Sequence, residues 1–154
     1  MPDTLRFLLI IACLAGAMDQ RVSFITLAVA DLERTRAFYL DGLGWRSEVF
    51  VPGEVLMIRA GDKLVLSLWD EKGFEAEVGP IRRGEGIVPI TLSHNVVTEA
   101  EVDEILALAT SLGAEASTAT HREWGGYTGY FADPDGFRWE IATNPDEIGQ
   151  LVLP

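Results

Sequence analysis

Glu140 is the residue in this chain most able to do chemistry. It lies in the run Trp124-Gly-Gly-Tyr-Thr-Gly-Tyr-Phe-Ala-Asp-Pro-Asp-Gly-Phe-Arg-Trp-Glu-Ile-Ala142. A carboxylate placed mid-strand can ligate a metal, act as a general base if burial raises its pKa, or accept hydrogen bonds from a ligand. Arg138 stands two residues before it and can pair with it on the same strand face. The two histidines, His94 and His121, would complete a three-ligand set with Glu140. Zn²⁺, Ni²⁺ or Fe²⁺ needs three or more such groups converging. Asp133 and Asp135 read as turn formers, since turn geometry alone explains their spacing. No phosphate-binding Gly loop and no nucleophile elbow occurs, so no cofactor is expected.

The hairpin that holds Glu140 is legible from residue types. Tyr127 to Ala132 and Phe137 to Ala142 read as strands, and Asp133-Pro134-Asp135-Gly136 reads as the turn between them. Alternation puts Phe137, Trp139 and Ile141 on one face, and Arg138, Glu140 and Ala142 on the other. Upstream, residues 22–30 read as a strand with Ile25, Leu27 and Val29 on one face. Asp31 caps a helix to about Leu40, with Leu32, Thr35, Phe38 and Tyr39 as its inner stripe. Residues 45–50, 55–60 and 63–69 read as three further strands. The charged, Gly-rich segment 70–86 reads as a linker or mobile loop. Residues 87–93 read as a strand. Thr98 and Glu101 form a capping box for a helix whose inner face is Val102, Ile105, Leu106, Ala109 and Leu112. Residues 114–118 read as a weak strand.

The order strand–helix–three strands thus occurs twice, over 22–69 and 87–142, and both helices end in Leu-Gly (Leu43-Gly44 and Leu112-Gly113). Each half presents a sheet packed on its helix by one face, and the other two faces are expected to form a concavity.

Composition bounds the partners. The chain has 154 residues, 48% of them hydrophobic, and a formal net charge of −12. Such acidity argues against nucleic acid and against docking on anionic membranes. It suits a small organic ligand, a cationic one included. A single cysteine, Cys13, rules out an intrachain disulfide, and a cytoplasmic location is expected. Residues 1–17 form an apolar extension, Phe7 to Ala17 being too short to span a bilayer. Three readings apply: an over-extended reading frame with Met18 as the natural start, a weak signal peptide, or an extra helix.

Three segments together resemble the vicinal oxygen chelate superfamily of glyoxalases, bleomycin-resistance proteins and dioxygenases. They are Val29-Ala-Asp-Leu-Glu-Arg-Thr-Arg-Ala-Phe-Tyr39, Leu43-Gly-Trp45 and Phe131-Ala-Asp-Pro-Asp-Gly-Phe-Arg-Trp-Glu140. The resemblance covers a single domain over about 20–146, with 147–154 as a C-terminal tail. It implies an α+β fold in which two βαβββ modules form a cupped, partly open β-barrel, commonly as a homodimer. Metal-dependent members of that family place ligands at positions that here hold Phe24, Ser67, Pro89 and Glu140. One of the four is a strong ligand, and His94 and His121 stand elsewhere. A metal-free site is therefore expected.

The expected pocket gathers the inner-face residues Phe24, Thr26, Ser67, Trp69, Thr91, Ser93, Arg138 and Glu140, with Trp124 at its mouth. Small hydroxyl residues leave room, and aromatics cover a ligand's apolar parts. His94 and Asn95 read either as a polar pair at the pocket rim or as a loop-satisfied pair; His121 reads as exposed. The expected function is binding of a small molecule without a catalytic metal. The alternative is a metal-dependent lyase, isomerase or dioxygenase that uses Glu140.

Overall fold

The computed structural model describes residues 18 and 20–154, so the readings for residues 1–17 lie outside the described residues. Strand β1 (Phe24–Val29) alternates as expected, with Leu27 and Val29 buried and Phe24 and Thr26 exposed. Asp31 caps helix α1 (Leu32–Arg36), its side chain accepting the Arg34 N–H at 3.0 Å. The helix continues into a π-helical turn, Ala37–Gly42, in which the Leu43 N–H donates to the Phe38 carbonyl at 2.9 Å. The wider turn brings Phe38 and Tyr39 inward beside Leu32 and Thr35, and all four are buried.

Strands β2 (Val49–Val51), β3 (Val55–Gly61) and β4 (Leu64–Asp70) complete a sheet of order β1-β4-β3-β2, with β1 parallel to β4. The strand expected over 45–50 is shorter and begins at Val49. Trp45 leaves the ladder for the core, where its ring centroid lies 5.5 Å from both Tyr39 and Trp139. The segment expected to be a linker also differs, because its first part is helix α2 (Glu71–Glu77). Asp70 caps it by accepting the Lys72 N–H at 3.0 Å, and Phe74 packs edge-on against Trp69 at 6.1 Å. Gly73 permits that packing, since a Cβ there would sit 2.6 Å from Trp69 Nε1. The charges that read as a linker lie on the outer side of this helix, where Arg83 bridges Glu71 and Glu75.

The second module repeats the plan. Strand β5 (Thr91–Asn95), helix α3 (Glu99–Ser111), β6 (Thr120–His121), β7 (Tyr127–Ala132) and β8 (Arg138–Thr143) give a sheet of order β5-β8-β7-β6. The Thr98–Glu101 capping box is formed, and α3 buries Val102, Leu106 and Ala109. Strand β5 starts at Thr91 rather than 87, because Pro89 has no N–H to offer the ladder. The strand expected over 114–118 is reduced to one bridge, Ala116 to Phe131. Ser117 Oγ accepts the Tyr130 N–H at 2.9 Å, a side chain standing where a ladder carbonyl would be, and the true edge strand forms three residues later. Within the expected tail, Glu147–Gln150 forms a short helix α4, with Gly149 buried against Asn144.

The fold is α+β with two similar modules. Its two sheets are not hydrogen-bonded to each other, so they do not close into a barrel. One apolar core runs through both modules and includes Phe38, Tyr39, Phe131 and Trp139. The β7–β8 turn docks on α1, where Asp135 accepts from the Ala30 N–H at 2.9 Å and from Thr35 Oγ1 at 2.7 Å. Asp133 and Asp135 do form the turn, as expected, and they also join the modules. Among the described residues, no helix is long and apolar enough to cross a membrane.

Candidate functional site

Glu140 is half-buried at the centre of the outer face of the second sheet, the face turned away from α3. Its register partners are Ser93 on β5 and Tyr130 on β7. Residues directly across a ladder share a face, so both reach it. Ser93 Oγ donates to Glu140 Oε2 at 2.9 Å, the Tyr130 hydroxyl to Oε1 at 2.9 Å, and Thr128 Oγ1 to Oε1 at 3.3 Å. Burial, and then the hydrogen bond to Glu140, pushes the Tyr130 phenol above its ordinary pKa. Tyr130 therefore stays a donor at neutral pH. A carboxylate has about four lone-pair sites. Three donors leave Glu140 oriented, with one acceptor site open on Oε2.

The expected Arg138–Glu140 pair is not made. Arg138 bonds Glu115 instead, at 3.4 Å.

A cavity of about 290 Å³ opens beside Glu140, lined also by Asn95, Trp124, Ala142, Asn144 and Asp146. Trp124 is 47% exposed, and its indole folds back over Gly126, where a Cβ would lie 1.9 Å from the ring. The paired glycines thus bring an aromatic face to the pocket wall, since Gly126 has no side chain to hold it off. Two carboxylates, two amides and an indole make this an acidic pocket with an aromatic side.

The expected pocket residues divide between two faces. Thr91, Ser93, Arg138 and Glu140 share the outer face of the second sheet. Phe24, Thr26, Ser67 and Trp69 share the outer face of the first. A separate cavity is lined by Ile25, Ile58 and Leu66 together with Leu92 and Trp139 from the opposite faces of these strands, and by Thr91 and Ser93 at the β5 edge. Core-side residues of both sheets therefore line one cavity. None of Phe24, Thr26, Ser67 and Trp69 lines the cavity beside Glu140. Ser67 is buried on the first face, where Trp69 is covered by Phe74 of α2.

Nor does the chain bring His94, His121 and Glu140 together. His94 is level with Ile141 on the core side of β5, and His121 is exposed, tilted at 51° against Tyr127 at 4.9 Å and 3.7 Å from Glu99. Asn95, one residue beyond His94, does reach the Glu140 pocket. No group of three His, Cys, Asp or Glu able to hold a metal occurs among the described residues. The donor chemistry at Phe24, Ser67, Pro89 and Glu140 does not fit one either. Two of these side chains have no donor atom, Ser67 offers a hydroxyl on the other sheet, and three hydroxyls already occupy Glu140. Thr128, Tyr130, Asn144 and Asp146 escaped the sequence reading. Thr128 and Tyr130 were within its reach, because a four-residue turn places Tyr130 level with Glu140.

The family profile described as the Glyoxalase/Bleomycin resistance protein/Dioxygenase superfamily matches residues 21–141. A glyoxalase-related enzyme from Fulvimarina pelagi is 34% identical, with a TM-score of 0.74 over 82% of this chain and 90% of that one. Lactoylglutathione lyase from Agrobacterium tumefaciens is 24% identical, with a TM-score of 0.64 over 88% of this chain and 98% of that one. A fosfomycin resistance protein from Mesorhizobium loti is 19% identical, with a TM-score of 0.62 over 88% of this chain and all (100%) of that one. These last two show the fold alone. No curated protein matches the chain in sequence.

Proposed function

The chain belongs to the glyoxalase/bleomycin resistance protein/dioxygenase superfamily, and from that membership we propose that it binds a small organic cation beside Glu140, without a catalytic metal. The observation that carries this reading is the joint lining of one cavity by Glu140, Asp146 and Trp124. Glu140 supplies the charge and one open acceptor site. The hydroxyls of Ser93, Thr128 and Tyr130 hold it in place. Trp124 offers the indole face that an ammonium group favours by cation–π attraction, worth about 0.5–2 kcal/mol.

We further propose a homodimer. Phe24, Val49 and Val51 are exposed on the outer face of the first sheet, an apolar surface unlike the hydroxyl-rich outer face around Glu140. A second copy would cover it.

Titration calorimetry with tetramethylammonium and with its neutral near-isostere tert-butanol tests the reading. The cation is expected to bind and the neutral probe not to, and Glu140→Gln is expected to weaken cation binding about tenfold. Equal affinity for both probes overturns it. So does a stoichiometric transition metal in protein purified without chelator and lost in the Glu140→Gln variant.

A further inference from the structure

Between the core sides of the two sheets lies a cavity of about 700 Å³. It shares no lining residue with the Glu140 pocket, although Ser93, which bonds Glu140, also lines it at the β5 edge. Ile58 and Leu66 of the first sheet and Leu92 of the second form its aliphatic walls. Trp45 and Trp139 form an aromatic corner, their rings 5.5 Å apart at 86°. Organic ligands fill largely apolar cavities of about 300–1,000 Å³ that carry a few placed polar groups.

The charged lining points to one class of ligand. Arg59 Nε pairs with Glu48 at 3.1 Å, so those two charges cancel. Arg46 lines the same cavity, is exposed, and its guanidinium has no ion pair or hydrogen bond among the described residues. An unpaired guanidinium at an apolar, aromatic cavity is unusual in a chain of net charge −12. Arginine's planar fork takes a carboxylate through two parallel hydrogen bonds. His94 stands on the same lining, which explains why Asn95 alone of that pair reaches Glu140.

We propose that this inter-module cavity is a second binding site, for a small aromatic carboxylate. Arg46 is its anion contact, and Trp45 and Trp139 are its aromatic walls. Its preference for charge is opposite to that of the Glu140 pocket, so the two sites stand or fall separately.

The chain's four tryptophans (Trp45, Trp69, Trp124 and Trp139) provide the test. 2-Naphthoate is titrated into the full chain while the ¹⁵N-labelled indole N–H signals are followed by NMR. The signals of Trp45 and Trp139 are expected to shift and saturate together, and those of Trp69 and Trp124 to stay fixed. Arg46→Gln, a change at an exposed and unpaired residue, is expected to weaken 2-naphthoate about tenfold and neutral 2-naphthamide by less than about twofold. Shifts confined to Trp69 or Trp124, no saturable shift at millimolar probe, or equal losses for both probes would each overturn the assignment.

Discussion

The Tyr39 hydroxyl donates a 2.6 Å hydrogen bond to Asp133 Oδ2 across 94 residues of chain, and it accepts the Trp139 indole N–H at 2.9 Å. This buried pair ties the π-helical turn of the first module to the hairpin of the second. Asp133 is 4% exposed and also accepts the N–H groups of Asp135 and Phe137. Tyr39→Phe would strand one acceptor and one donor in the core. The expected cost is about 2–4 kcal/mol, from two buried polar groups left unpaired. Urea unfolding of the variant measures it, and a loss within error of zero would show that water replaces the hydroxyl.

The same pair sets a dependence on alkaline pH. Burial first, and then the charge of Asp133, holds the Tyr39 phenol well above its ordinary pKa. Above about pH 10 an unfolded tyrosine releases its proton while the folded one keeps it. The unfolded state then binds fewer protons, so stability is expected to fall as pH rises beyond that point. Tyr39→Phe is expected to flatten this fall in unfolding curves measured from pH 8 to 11.

Asp133 gives a second slope at lower pH. Burial is the largest influence and raises its pKa, against the lowering effect of the hydrogen bonds it accepts. As pH rises from its ordinary value of about 4, the unfolded carboxyl ionises before the folded one. The stability contributed by its protonated form is full below that value and is lost as pH rises through the raised folded value. Asp133→Asn is expected to remove this slope. Comparing the unfolding midpoints of the two proteins across pH 3.5 to 7 isolates it.

Gly126→Ala tests how the pocket wall is built. The added methyl would meet the Trp124 ring at 1.9 Å and the Thr143 carbonyl oxygen at 2.8 Å. The indole must swing away, and the backbone contact adds a strain of about 1–3 kcal/mol. Cation binding at Glu140 is expected to weaken, with a shift in tryptophan emission. Retained affinity would mean that Trp124 does not touch the ligand.

Thr98→Ala removes the hydroxyl that accepts the Glu101 N–H at 3.2 Å. Loss of this cap from α3 is expected to cost about 1 kcal/mol. Because α3 lies on the face of the second sheet opposite Glu140, ligand affinity is expected to stay unchanged while the thermal midpoint drops.

Local chemistry was enough to establish the modules. The Asp31 cap, the Thr98–Glu101 box, the Leu32/Thr35/Phe38/Tyr39 stripe and the Asp133–Gly136 turn depend on residues a few positions apart, so spacing reveals them. The alternation of β8 likewise placed Glu140 on the polar face. Three features needed contacts that cross the fold. Helix α2 is stabilised by Phe74 against Trp69, and its charged composition conceals that contact. Glu140 takes hydroxyl partners instead of Arg138, because adjacent strands bring Ser93 and Tyr130 level with it. The expected pocket residues of the first sheet stay out of the Glu140 cavity, while the modules dock through Tyr39, Asp133 and Trp139. Periodicity assigns a residue to a face of its own strand. Only packing between modules decides what that face looks toward, and so the sequence placed Glu140 on a polar surface while the tertiary structure gave it Trp124 and Asp146 for company.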